Sequence, residues 1–148
     1  MKSILHISLI LFIFSTSIAS QEISSFSSKI IHKAEQDCSA FNSGEFSLTD
    51  GAVTLHDFTG DGKPEEVIDG SQFACSTALT LWGGTGGTLL WIIVENEIHE
   101  FLAHKWRVID VDGQNVLLLA VHSSQCGDKI GPCYRAFVWD DGFRTTDS

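Results

Sequence analysis

The sequence predicts a mainly β fold of the α+β class, with one N-terminal amphipathic helix packed on an antiparallel meander of about eight to ten short strands. Three observations predict it. Apolar residues recur at three- and four-residue intervals in one early segment. After Gly44 the chain breaks into short β-branched and aromatic runs separated by turn dipeptides. Four cysteines form an even set, one of which, Cys38, lies on the early segment and can pin it to the strands.

The helix comes first. Ile23, Phe26, Ile30, Ile31, Ala34, Cys38 and Phe41 share one face of a helical period. Ser24 or Ser25 supplies the N-terminal cap, and Asn42, Ser43 and Gly44 break the pattern, so Cys38 falls on the buried stripe in the last turns. Strands are then expected at residues 45–49 and 52–58 around Asp50-Gly51, at 66–69, 78–82, 88–94, 98–104, 106–111, 116–122 and 134–139, with a stub at 143–145. Asn96, Asp112-Gly113 and Asp141-Gly142 are turn residues of the kind that closes hairpins. The runs 89–94 and 116–121 are apolar at successive positions, which predicts central strands covered on both faces.

Residues 1–19 read as a secretory signal peptide: one positive charge at Lys2, an apolar stretch over 4–14 and small residues over 15–20, with a cut after Ala19. The apolar stretch is too short to cross a bilayer comfortably and no basic cluster follows it, so no stable membrane insertion is expected. Residues 20–148 then form a single disulfide-stapled domain in a secreted or periplasmic protein. The formal charge of −10 over 148 residues repels nucleic acid and anionic lipid, whose recognition needs lysine and arginine, and points to cations and to a basic protein or envelope component as partners.

Cys38, Cys75, Cys126 and Cys133 are an even set in a chain bound for an oxidising compartment, and allow three pairings. Gly127, Gly131 and Pro132 let the segment between Cys126 and Cys133 turn back on itself, which favours that bridge and leaves Cys38 to Cys75.

The most specific chemical signal is Asp57-Phe58-Thr59-Gly60-Asp61-Gly62-Lys63-Pro64-Glu65. Side-chain oxygens stand at its first, third, fifth and ninth positions, glycine at the sixth, and the Lys63 carbonyl is a further ligand. Calcium is the cofactor this spacing suits, because a tight loop with alternating oxygen side chains can direct them at one hard cation. An EF-hand is excluded, since Ile68 holds the twelfth position and a strand follows.

This loop resembles the aspartate-rich calcium loops of FG-GAP and VCBS-type β-repeats and of dockerins, with Asp57, Thr59, Asp61 and Glu65 on the matching ligand positions. Thr59 stands where those loops have Asp or Asn, which implies weaker binding, in the range that extracellular calcium fills. More widely, the order Asp57-Phe-Thr-Gly-Asp-Gly, Val67-Ile-Asp-Gly, Cys75-Ser76, Gly84-Thr-Gly-Gly87, Trp106-Arg-Val108, Leu117-Leu-Leu, His122, Cys126-Gly127 and Pro132-Cys133 resembles a group of small exported bacterial proteins of unassigned function. That likeness implies a periplasmic setting and a β-rich fold, and carries no catalytic residues. The group places extra cysteines beside the glycine cluster, and their absence here implies a simpler disulfide plan.

Gly83, Gly84, Thr85, Gly86 and Gly87 make a glycine-rich loop that can present N–H groups to an anion, yet the Lys-Ser/Thr ending and following helix of a phosphate loop are missing. A flexible turn or a close backbone crossing explains it as well. His99 and His104 differ by five positions and face opposite sides of an unbroken strand, which spoils a shared ligand cluster. His122 near Ser124 and Cys126 offers a nucleophile and base without any surrounding hydrolase motif. Trp82, Trp91, Trp106 and Trp139 are core residues first, and aromatic contacts for a ligand second.

These features point to a non-enzymatic exported binding module, calcium-stabilised, whose acidic surface meets a basic protein; inhibition of a hydrolase such as lysozyme is one version. The alternative is a small secreted hydrolase acting on cell-wall or sugar polymers through carboxylates of the acidic turns.

Overall fold

The structure is a computed structural model that describes residues 23–127 and 133–145. The expected signal peptide and its cleavage near Ala19, and the Gly131-Pro132 turn, lie outside the described residues.

Helix α1 (Ser25–Ala40) starts where a capping serine allows it: the Ser24 side chain accepts from the Ser27 N–H. It ends where Asn42 and Ser43 take positive φ values of 53° and 55°, a conformation that stops helical hydrogen bonding. Eleven antiparallel strands follow among the described residues, in three sheets rather than one meander. The smallest is a ribbon of β1 (Phe46–Leu48) and β4 (Phe73–Cys75). The second orders β2 (Val53–His56), β3 (Glu65–Asp69), β6 (Gly87–Val94) and β5 (Gly83–Gly84), with β7 (Glu97–Ala103) also on β6. The third orders β11 (Phe143–Thr145), β10 (Cys133–Trp139), β9 (Gln114–Val121) and β8 (Lys105–Val111).

The hairpin turns follow the expected residues. Glu95 and Asn96 join β6 to β7, Asp112 and Gly113 join β8 to β9, and Asp141 and Gly142 join β10 to β11, all six at positive φ. That hand of turn matches the right-handed twist of the flanking strands.

Strand β6 holds the layers together because both its faces are apolar. Leu90, Ile92 and Val94 enter one buried cluster with Val67, Leu117, Leu119, Val121 and Phe137, between the second and third sheets. Trp91 and Ile93 enter another with Ala34 and Cys38 of the helix and with Ile68, Phe73 and Trp82. Each fully buried aliphatic chain contributes about 1.5–3 kcal/mol relative to exposure, so these two clusters dominate the folding energy. The Cys38–Cys75 bridge, with Cα atoms 5.6 Å apart, ties α1 to β4, and Cys126–Cys133, at 6.0 Å, closes the segment before β10. Two such bridges point to an oxidising compartment. No helix among the described residues is long and apolar enough to cross a membrane.

Three expectations are corrected. Residues 78–82 form turns instead of a strand, held by Ala78 N–H to the Cys75 carbonyl and Gly83 N–H to the Thr80 carbonyl. Leu79 is left 99% exposed there, while Trp82 folds inward against Phe46 and Phe73. The strand in this region is β4, just upstream, because Cys75 has to reach Cys38. Asp50-Gly51 does not close a hairpin between its flanking strands either, since β1 pairs with β4 and β2 with β3. Strand β9 is covered fully on one face and only in part on the other, where Val116 is buried. Leu117, Leu119 and Val121 are buried, whereas Leu118 and Ala120 look outward into a shallow hollow shared with Lys105, Arg107 and Tyr134, whose long side chains shade it in place of another layer.

Candidate metal centre

The loop 57–64 is fixed at both ends by sheet pairing. His56 and Glu65 are register partners at the end of the β2–β3 ladder, so Asp57 and Glu65 leave it side by side. Phe58, 3% exposed, drops into the core against Phe143 and pins the loop from below. Gly60 and Gly62 take φ values of 75° and 82°, which let the chain turn sharply and aim its N–H groups back at Asp57.

Those N–H groups organise the oxygens. Asp57 Oδ1 accepts from Gly60 at 2.7 Å and Oδ2 from Gly62 at 2.9 Å. Glu65 Oε2 accepts from Phe58 at 2.6 Å, and Asp61 Oδ1 accepts from Lys63 at 2.7 Å. The Thr59 hydroxyl lies between the first and last carboxylates, 3.5 Å from Asp57 Oδ1 and 3.3 Å from Glu65 Oε1. The Asp57 carbonyl accepts from Asn115 Nδ2 of β9 at 2.7 Å, which ties the loop to the third sheet. Each carboxylate oxygen keeps a second lone pair beyond its N–H bond.

Asp57, Asp61 and Glu65 each offer an oxygen lying within 4.8 Å of the other two. Two ligands of one calcium ion, each about 2.3–2.6 Å from it, stand at most about 5 Å apart, so the three carboxylates fit one coordination sphere. The cluster can therefore bind a metal ion. Lys63 is present through its N–H and through an exposed ammonium 3.8 Å from Asp61 Oδ2, a contact that water screens and an ion displaces easily. A cleft of about 730 Å³ opens beside the loop, lined by Thr59, Asp61, Glu65, Glu66, Glu95 and Trp139 among others.

Glu66 carries no local sequence signal of its role. Strand alternation sends it to the opposite face from Glu65, where it accepts from the Ser24 N–H at 2.7 Å and from the hydroxyls of Ser24 and Ser27. Burial raises its pKa, but the bonds from Ser24 and Ser27 outweigh this and the net shift is down from 4.5. His56, on the other side of the loop, packs edge-on against Trp106 at 5.7 Å, and burial lowers its pKa from 6.5.

The other candidate residues lie elsewhere. Gly83 to Gly87 form the β5–β6 hairpin tip, with Thr85 and Gly86 as its turn. A Cβ on Gly87 would stand 2.6 Å from the Ala103 carbonyl carbon, and one on Gly83 2.9 Å from the Gly87 carbonyl oxygen, so close backbone approach explains these two glycines. His99 is wedged between Trp139 and Phe143, whereas His104 and His122 face each other with ring centroids 6.3 Å apart. The separation of five positions removed His99 from the pair as expected. His122 reaches His104 through cross-strand register, which spacing along one strand does not reveal. No family model, curated protein or solved structure matches this chain.

Proposed function

We propose that this protein is an exported, calcium-steadied binding module whose acidic face receives a basic partner. The observation that carries the reading is the convergence of Asp57, Asp61 and Glu65 oxygens within 4.8 Å in a loop held by its own N–H groups. A cation there neutralises mutual repulsion and locks the β2–β3 end of the sheet. Glu95 and Trp139 then line a cleft suited to a lysine or arginine side chain, through ion pairing and stacking. Cleavage near Ala19 and release to the periplasm or exterior belong to the same reading, as does action on a small basic hydrolase such as lysozyme. The hydrolase alternative draws on the same carboxylates, and their N–H bonds suit ion holding better than proton transfer.

Melting curves of residues 20–148 with and without millimolar Ca²⁺ test the calcium half. Binding to the folded form alone raises stability by about 2.7 kcal/mol at a hundredfold excess over Kd. Asp61→Asn is expected to remove most of that gain, and an identical melting point with and without calcium in the parent chain would reject it. The partner half is tested by capture from the exported fraction at low and high salt; a basic protein released by salt is expected, and salt-indifferent capture would overturn it.

A further inference from the structure

We infer that His104 and His122 form a second metal site, separate from the oxygen-lined loop and selective for a divalent transition ion of the imidazole-binding class, with Zn²⁺ as its simplest occupant. His104 sits at the single-residue corner between β7 and β8, where its N–H donates to the Ala120 carbonyl at 2.7 Å. His122 directly follows β9 and caps the short 3₁₀ turn Ser123–Cys126. Cys126 is bridged to Cys133, and Cys133 is the register partner of Val121. The backbone under each imidazole is thus fixed by sheet pairing, and under His122 by a disulfide as well. Both side chains are exposed.

The ring geometry suits a shared ion. The centroids lie 6.3 Å apart with planes inclined at 48°. A Zn–N bond of about 2.0–2.1 Å places the ion about 3 Å from each ring centre, so two ligating rings stand about 5–6 Å apart. A modest side-chain rotation, which two exposed residues can make, closes the difference. The outer contact is also in place. His122 Nδ1 lies 2.8 Å from Ser124 Oγ. With the ion on Nε2, Nδ1 carries the proton and donates it to that hydroxyl, an outer contact that fixes the tautomer and the ring orientation. Without an ion the same nitrogen accepts from the Ser124 N–H at 3.3 Å, so binding exchanges a weak cap for a ligand bond. Imidazole nitrogen prefers zinc and copper over calcium, and carboxylate oxygen the reverse, which keeps the two sites chemically distinct.

The test is a Zn²⁺ titration of tag-free protein in millimolar Ca²⁺, followed by calorimetry and by the NMR signals of the histidine rings. One ion per chain is expected, with His104 and His122 shifting together at the same stoichiometry while His32 and His99 stay in place. His104→Ala and His122→Ala are each expected to weaken binding at least tenfold, and His32→Ala and Asp61→Asn to leave it unchanged. Undiminished affinity in both His104→Ala and His122→Ala would overturn the site. So would a titration of the parent chain in which either ring is silent, a result that does not depend on any variant folding.

Discussion

Ser24 and Glu66, 42 residues apart in sequence, are joined by two hydrogen bonds: the Ser24 N–H donates to one oxygen of the Glu66 carboxylate at 2.7 Å and its hydroxyl donates to the other. The Ser27 hydroxyl adds a third. The first turn of α1 is thereby clamped to β3 by one negative charge, placed where a helix start favours an anion. Glu65, the next residue back, serves the acidic loop from the same strand, so helix docking and loop geometry share a single rigid support.

Glu66→Gln keeps the shape of this clamp and removes its charge. Hydrogen bonds to a charged group are worth about 1.5–3 kcal/mol each before partial exposure reduces them, so a loss of about 1–2 kcal/mol is expected in urea unfolding at neutral pH. The folded-state pKa of Glu66 lies below its ordinary 4.5. Its stabilisation is therefore complete above pH 4.5 and lost as pH falls through the folded value. The variant is expected to show a shallower decline of stability on acidification than the parent chain.

The ring of His56 works in the same direction of pH for a different reason. Burial against Trp106 and Phe58 disfavours its protonated form and holds its pKa below 6.5. The unfolded chain then binds more protons across that interval, so stability is full above pH 6.5 and falls as pH drops through the folded value. An NMR titration of His56 is expected to give a midpoint under 6.5, and His56→Phe to remove its share of the decline. A midpoint at or above 6.5 would contradict the burial argument.

The layers were legible in sequence where one periodicity dominated. Ile30, Ala34 and Cys38 mark the helix face, and the unbroken apolar run of β6 signals a strand covered on both sides. The similar run in β9 holds only in part for its outer face: Val116 is buried, but Leu118 and Ala120 are shaded by Arg107 and Tyr134, and hydrophobicity alone does not tell a packed layer from long polar side chains. The turn at 78–82 carries an apolar run that resembles a strand, yet its conformation is held by local bonds from the Ala78 and Gly83 N–H groups to the Cys75 and Thr80 carbonyls. At the loop, residue type and spacing were sufficient to find Asp57, Asp61 and Glu65. Glu66 and the His104–His122 pair depend on register between distant strands, which no local pattern encodes.

The two disulfides are expected to differ in worth. Loop-closure entropy gives about 3.8 kcal/mol for a bridge spanning 37 residues and about 2.4 for one spanning 7. Replacing Cys38 and Cys75 together by alanine is therefore expected to destabilise the fold by about 1.5 kcal/mol more than replacing Cys126 and Cys133. The gap widens because Cys38 is fully buried beside Ala34, where truncation also costs packing. Equal losses in urea unfolding would mean that the chain-entropy difference is cancelled elsewhere.

Two glycines of the same hairpin separate backbone demand from mere turn preference. Gly87 has φ of 117° and is buried, and a Cβ there would meet Ala103 carbon, nitrogen and oxygen at 2.6–2.8 Å, all backbone atoms of the neighbouring strand that cannot rotate away. Gly87→Ala must then push β7 from β6 at the corner that leads into His104, or distort the start of β6. The expected loss is about 2–4 kcal/mol, since overpacking and a disfavoured φ act together. Gly84, three residues earlier, is exposed, a Cβ added there would meet nothing within 4 Å, and its φ lies outside the left-handed range. Gly84→Ala is expected to be neutral or slightly stabilising through the unfolded chain. A thermal melt of the two variants side by side decides it: similar behaviour would show that the hairpin tolerates a side chain at the β6–β7 contact, and that the glycine run is there for the turn alone.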